Sequence, residues 1–417
     1  MIGEHRITSV DAPDRPVFTD RAHPPGSPAR DETPSSSPSA LRARPRSSDP
    51  ARTTVLHGSR IPLITAVVVR RRRPVRIPLS TKGIDMTAVL EPTLSYSSSI
   101  PRAHVHRAAI CEVFLTDIIC ESYPQFRLGV QLPRVHSYYS DHNIVVRQYD
   151  PLLLLETFRQ ASILISHRHV DAPLDAKFVF NAGALEVVDL DAVRVGPAPA
   201  AGVLDATITA EKSRGADIVG ITLAMTLALD GSAAATMSMT IQWMPGDAWD
   251  RLRQRGRAPL QLDPSRPHPL HERVEPREVA RHSFDNVVLS RIGVDGDTVR
   301  SQVLVDQAHP GLFDHPLDHV PGALIFEAMR QTALVAAHEL FGLSPRMLVL
   351  VGCDAVFESF GELELPTDCA AVAEAEICSR QVVLSVTLAQ EGRQIAHGRV
   401  TLQRVSASTA ALDRIVR

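Results

Sequence analysis

Pro321-Gly-Ala-Leu-Ile-Phe-Glu327-Ala-Met-Arg330-Gln331-Thr-Ala-Leu-Val-Ala-Ala-His338 is a long apolar run with a Glu, an Arg and a Gln set into it. At 3.6 residues per turn, Leu324, Ala328, Gln331 and Val335 lie near one stripe, and Glu327, Arg330 and Gln331 form an i, i+3, i+4 group. Apolar residues stand nearly all round, so the spacing predicts a buried helix, about 27 Å long at 1.5 Å per residue. A Glu and an Arg inside such a helix must be paired, hydrogen-bonded or functional, because stranding either charge costs several kcal/mol.

A second copy stands upstream: Asp150-Pro-Leu-Leu-Leu-Leu-Glu156-Thr-Phe-Arg159-Gln160-Ala-Ser-Ile-Leu-Ile-Ser-His167. The copies share more than the helix. His136-Ser-Tyr-Tyr-Ser-Asp141-His142 precedes the first and His309-Pro-Gly-Leu-Phe-Asp314-His315 the second, both His-x4-Asp-His. Alternating, β-branched runs follow the same order around each copy. In the first half they are Ile110 to Ile119, Phe126 to Leu132, Lys177 to Phe180, Leu185 to Leu190, Leu204 to Lys212, Ile218 to Leu229 and Thr236 to Trp243. In the second they are Asn286 to Ile292, Thr298 to Asp306, Met347 to Phe357, Cys369 to Cys378, Val382 to Gln390 and Arg393 to Val405. A duplicated strand-strand-helix-strands unit is an α+β fold, a tandem (double) hotdog, each half a long central helix wrapped by an antiparallel sheet.

The organisation follows. Residues 1–85 are rich in Pro, Ser, Arg and Asp without sustained periodicity, which predicts a disordered extension. With only three lysines (Lys82, Lys177, Lys212) the positive charge is nearly all Arg, the mark of a GC-rich genome in which upstream reading frames stay open, so Met86 is the expected translation start. Ile61 to Val69 has its arginines (Arg70 to Arg73) after the apolar run, the wrong order for a secretory signal. Residues 86–245 form the first repeat, 246–276 a Pro-, Arg- and His-rich linker, and 277–417 the second repeat. The 417 residues carry a net charge of −3 and 44% hydrophobic residues, enough for sizeable cores and no overall nucleic-acid footprint. No apolar run reaches the ~18 residues of a membrane span. The five cysteines lack metal-ligand spacing and read as reduced thiols of a cytoplasmic protein.

Val320-Pro321-Gly322-Ala-Leu-Ile-Phe-Glu327-Ala328-Met329-x-Gln331 resembles the hotdog helix of the 3-hydroxyacyl carrier-protein dehydratases, PGVLxxEAxxQ. Arg330 and Arg159 depart from that pattern. Glu-x-x-Arg-Gln in both halves is similar instead to the A-factor biosynthesis (AfsA-type) hotdog family of bacterial γ-butyrolactone synthesis, as are Val105-His106-Arg107-Ala-Ala and Glu112-Val-Phe-Leu-Thr-Asp117. This resemblance covers roughly residues 95–405. It implies an acyltransferase that joins a 3-oxoacyl thioester, on acyl carrier protein or coenzyme A, to the hydroxyl of dihydroxyacetone phosphate. No cofactor or metal is implied, and the assembly would be a monomer or a homodimer.

Such chemistry calls for a base near the attacking hydroxyl and donors for the oxyanion. Arg suits a phosphate better than Lys does. Glu327 and Glu156 are therefore candidate bases or orienting groups, and Arg330 and Arg159 candidate phosphate or oxyanion clamps. The Val-Pro-Gly entry to its helix favours Glu327 with Arg330. Gln331 and Gln160 are candidate substrate contacts, more readily read as hydrogen-bonders to nearby backbone. His142 stands fourteen residues before Glu156, where the dehydratases keep a catalytic His, and could serve Glu327 across the repeats. Phe313 fills the matching place before Glu327, leaving His315 and His319 at other spacings; His315 is the second candidate. An intrahelical Glu–Arg pair without function is the plain alternative. A dehydratase or thioesterase, and a non-catalytic acyl-binding regulator, are the competing functions. No helix-turn-helix pattern supports a repressor.

Overall fold

The computed structural model describes residues 93–263, 272–374 and 380–405. The 1–85 extension, Met86 and Cys378 lie outside these residues.

The first repeat runs β1 (Leu115–Ser122), β2 (Gln125–Leu132), α1 (Pro151–His169), β3 (Lys177–Val187), β4 (Ala200–Arg214), β5 (Asp217–Leu229) and β6 (Ser232–Met244). After α2 (Gly246–Arg257), the second runs β7 (Leu289–Asp295), β8 (Thr298–Val303), α3 (Gly322–Phe341), β9 (Leu348–Phe357), β10 (Thr367–Ala373), β11 (Gln381–Gln390) and β12 (Arg393–Arg404). One twelve-stranded antiparallel sheet results, in the order β1-β2-β4-β5-β6-β3-β9-β12-β11-β10-β8-β7. The two halves of that order mirror each other, so β3 against β9 is the seam. There Gly183 pairs with Ala355 and Ala184 with Asp354, and the sheet continues from one repeat into the next.

Period-two alternation faces the sheet toward the helices: β4 alternates buried and exposed positions along most of its length. α1 starts where Asp150 accepts a bond from the Leu152 N–H at 2.9 Å and Pro151 presets the first turn. α3 stops at Gly342, held at φ 63°. The Gly342 N–H donates to the His338 carbonyl and the Leu343 N–H to that of Ala337, closing the last turn. Both helices are buried on nearly every side, as their apolar runs predict.

Three expectations change. The run from Ile110 begins as a 3-10 turn, Ile110–Glu112, and the strand starts only at Leu115. Lys177 to Phe180 and Leu185 to Leu190 are one strand, β3, with an irregularity between Phe180 and Ala182. Gly183 reads as a break in the sequence, but a Cβ there would lie 2.5 Å from Phe180, so the glycine answers a packing need. The Pro- and Arg-rich stretch after Met244 opens with a helix. α2 has almost no apolar stripe; it docks through Trp249 and through Arg253, whose Nη1 and Nη2 donate to the Glu362 carboxylate at 2.8 and 2.7 Å. Charge pairing anchors what hydrophobic periodicity could not announce.

Candidate active site

The two His-x4-Asp-His loops cross between repeats. Asp141, in the first, accepts from the His282 and Ser283 N–H groups and from Asn286 Nδ2 (2.7 Å) in the second. Asp314, in the second, accepts from the Ala108 and Ala109 N–H groups in the first. His136 and His309 shape the loops themselves. Each Nδ1 accepts from two N–H groups just downstream, Tyr138 and Tyr139 in one loop and Gly311 and Leu312 in the other. The shared motif is thus a reciprocal clasp.

That clasp brings residues of both repeats to Glu327, which is fully buried. Tyr138 donates its hydroxyl to Glu327 Oε2 at 2.8 Å. Arg281 donates to Oε1 from Nη2 at 2.9 Å and from Nε at 3.2 Å. Arg330 and Gln331, one turn along the same helix, also donate to the carboxylate. Arg330 sends its Nη1 to Asp150 Oδ1 at 2.7 Å, across 180 residues of sequence. Two guanidinium groups face two carboxylates, so the cluster is neutral. Burial alone would push the Asp150 and Glu327 carboxyls up; Arg330 and its neighbours more than offset this and hold both below their ordinary range. Burial beside Glu327 drives the Tyr138 hydroxyl the other way, well above the ordinary range, so it stays a donor.

His142 completes this side. Its Nε2 lies 3.3 Å from Asp150 Oδ2, yet neither buried atom makes a hydrogen bond of acceptable geometry among the described residues. We read the pair as an electrostatic contact whose hydrogen-bonding capacity is unused. His142, Gln148, Arg281 and Arg330 line a narrow cleft together with apolar side chains, Ile144, Leu334, Leu348, Val349, Leu350 and Leu402 among them.

The matching place in the first repeat differs residue by residue. Glu156 accepts from Arg107 (Nε, 2.9 Å), Arg159 (Nε, 2.7 Å) and Gln160 (Nε2, 2.8 Å). Burial raises the Glu156 carboxyl, but Arg107 and Arg159 outweigh it and leave it at about 2. Counting back from each helix Glu, Pro321 stands where Asp150 stands, so Arg159 lacks that second carboxylate and is 26% exposed. Gly311 occupies the place of Tyr138; a Cβ on it would come within 2.9 Å of that tyrosine. The apolar cleft has an aromatic counterpart too. His106 replaces Ala280 and Phe178 replaces Val349, their rings 5.1 Å apart, with Trp243 5.6 Å beyond Phe178. His106 Nε2 meets His167 Nε2 at 3.0 Å; burial, then His167 and Arg159, lower the His106 pKa to about 4.

Of the residues singled out from sequence, Glu327, Arg330, Gln331 and His142 come together. Glu156, Arg159 and Gln160 form the second cluster. Gln331 and Gln160 each accept one backbone N–H (Val288, Phe114) and donate to one carbonyl (Asn286, Glu112), as hydrogen-bonders to nearby backbone. His315 joins neither; it stays 44% exposed beside Asp314. Tyr138, Asp150, Arg281 and Arg107 went unrecognised. The two arginines carry a signal in retrospect: Val105-x-Arg107 and Val279-x-Arg281 are copies of one motif.

The profile of the A-factor biosynthesis hotdog domain matches residues 91–245 and again 262–406. A 2-oxo-3-(phosphooxy)propyl 3-oxoalkanoate synthase of Streptomyces virginiae is 35% identical over 237 residues, 57% of this chain and 76% of that protein. The synthase of the same name from Streptomyces coelicolor is 30% identical over 261 residues, 62% and 78% of the two chains. Among solved structures, a bifunctional dehydratase-cyclase domain in ambruticin biosynthesis aligns over 72% of this chain and 98% of its own, at 16% identity and a TM-score of 0.41.

Proposed function

The chain belongs to the A-factor biosynthesis hotdog family, and from that premise we propose that it is a cytoplasmic acyltransferase. It joins a 3-oxoacyl group, delivered as a carrier-protein or coenzyme A thioester, to the hydroxyl of dihydroxyacetone phosphate. The product is the 2-oxo-3-(phosphooxy)propyl ester that names its curated relatives. One observation carries the assignment of the reacting centre: around Glu327 the first repeat supplies Tyr138 and Asp150 and the second Arg281 and Arg330, with His142 Nε2 3.3 Å from Asp150 Oδ2 in the lining of the cleft.

In this reading His142 is the base. It takes the proton of the acceptor hydroxyl, whose oxygen attacks the thioester carbonyl; the C–S bond breaks, and the imidazolium returns the proton to the departing thiolate. Asp150 steadies the imidazolium. Arg330, which lines the cleft and uses one N–H on each of two carboxylates, has donors left over for the developing oxyanion. Glu327 and Arg281 hold Arg330 and Tyr138 in place. Glu156, Arg159 and Gln160 tie the first repeat to its opening segment, and the His106–Phe178–Trp243 stack occupies the space the acyl chain would need there. His315 takes no part.

The test is incubation of the full chain with a 3-oxoacyl thioester, with and without dihydroxyacetone phosphate. Thiol release that depends on the acceptor, with the phosphorylated ester as product, is the expected result. Release without acceptor would make the protein a thioesterase. Dehydration of a 3-hydroxyacyl thioester would make it a dehydratase, and tight acyl binding without turnover a regulator. His142→Gln should lower kcat about 10² to 10⁴-fold, the range of a lost general base.

A further inference from the structure

The acceptor of the proposed reaction carries a phosphate, and the buried arginines are poorly placed to hold it. Arg281 and Arg330 already face Glu327 and Asp150, two charges against two. A dianion brought to them meets no net positive potential and would have to displace a carboxylate from a fully desolvated pair. The phosphate needs a guanidinium group that owes nothing to a carboxylate.

Two such groups stand next to residues of the cleft's lining. Arg346 is exposed and donates its Nε to the Asn143 carbonyl at 3.3 Å, so it is anchored on the residue next to His142. The backbone joins them again, with the Val145 N–H donating to the Arg346 carbonyl at 3.1 Å. Arg404 ends β12 directly across from Leu348, a wall of the cleft, and lies two residues beyond Leu402, another wall, hence on the same face of the sheet. It too is exposed. Among the described residues neither guanidinium has a carboxylate partner. Both therefore border Leu348, one from the preceding turn and one from the neighbouring strand.

We propose that Arg346 and Arg404 bind the phosphate of the acyl acceptor beside this cleft, fixing its hydroxyl at His142. The inference rests on the acyltransferase reading above. The acceptor is short: three carbons separate its hydroxyl from its phosphate ester oxygen. A hydroxyl beside His142 thus leaves the phosphate within reach of a guanidinium held by the adjacent carbonyl. Two planar forks bordering Leu348 suit three phosphate oxygens. The pantetheine arm of a thioester donor also carries phosphate, so the probes must separate the two sources.

Arg346→Gln and Arg404→Gln, alone and together, are assayed with a 3-oxoacyl N-acetylcysteamine thioester, which has no phosphate, and with the coenzyme A thioester. The acceptors are dihydroxyacetone phosphate and unphosphorylated dihydroxyacetone. Each substitution should raise KM for dihydroxyacetone phosphate about tenfold or more, the loss of a charge-assisted hydrogen bond, with kcat within about twofold. kcat/KM for dihydroxyacetone and KM for both donors should stay unchanged. An unchanged KM for dihydroxyacetone phosphate, an equal loss with dihydroxyacetone, or a loss confined to the coenzyme A donor overturns the proposal. If the wild type turns nothing over, the acyltransferase reading fails and calorimetry decides the anion site separately. Inorganic phosphate and dihydroxyacetone phosphate binding to the wild type but not to the double variant sustains it. No binding, or equal binding to both, ends it.

Discussion

Asp150 offers the sharpest test of the buried cluster. It is fully buried, caps α1 through the Leu152 N–H, and supplies half of the negative charge facing Arg281 and Arg330. Asp150→Ala removes the cap, worth about 1 kcal/mol. It also leaves two buried guanidinium groups against Glu327 alone, and breaking one partner from such a pair costs about 3–5 kcal/mol. The sum, about 4–6 kcal/mol, is a large share of the ~5–15 kcal/mol that holds a typical protein together. Asp150→Asn keeps a capping oxygen and an acceptor for Arg330 while losing the charge, so it should cost about 1–3 kcal/mol. Urea unfolding near neutral pH, compared at constant m, reads both. Asp205→Ala is the control: its bond to Arg127 Nε, 2.8 Å, lies in the open, and exposed pairs contribute about 0–1 kcal/mol. If Asp150→Ala costs no more than Asp205→Ala, the buried charge balance described here does not hold the site together.

Two more outcomes follow from the same geometry. Stability should fall as pH drops, in two stages. His106 is lowered from 6.5 to about 4, so between those values protons go to the unfolded chain first; Glu156, lowered from 4.5 to about 2, and the depressed Asp150 then lose their stabilisation as pH falls further. The urea midpoint measured against pH should therefore decline steadily below about 6.5, with His106→Phe weakening the upper stage, to which His104, His167, His169 and His309, also lowered by burial, add; a midpoint that rises between 6.5 and 4 contradicts it. Val349→Phe copies the first repeat's Phe178 into the cleft wall. It should raise KM for long-chain thioesters at least about tenfold and leave acetoacetyl thioesters little affected, since only the apolar length is filled. Equal losses for both, with a lower Tm, would mean that Val349 is merely core.

Much of the architecture is legible in the sequence itself. α1 and α3 announce themselves because burial on all sides writes a continuous apolar run, and the charges set into it stand out against that background. The paired His-x4-Asp-His loops disclose the duplication for a similar reason: identical spacing survives where the surrounding residues differ. The partners of the buried charges were harder to see. Asp150 reads locally as a helix cap, which it is; that it also meets Arg330 depends on a chain path of 180 residues. Tyr138 and Arg281 sit in irregular loops with no period to betray which way they point. α2 was passed over for the opposite reason, since a helix docked by Arg253 onto Glu362 has no apolar stripe to read. Periodicity reports a residue's burial. It is silent on which distant group the residue meets.

The seam at β3 and β9 has one more meaning. When two identical subunits meet on a twofold axis, every substitution happens twice, and neither site can change alone. Here the two halves are one chain, so the axis remains while the obligation to symmetry is gone. Asp150 can face Arg330 while Pro321 stands in the mirrored position, and Tyr138 can fill the space that Gly311 vacates. In the proposed reading one of the two clusters, built by both halves, serves chemistry, and the other serves support. A dimer of single repeats, confined to two identical sites, has no means of dividing the labour in that way.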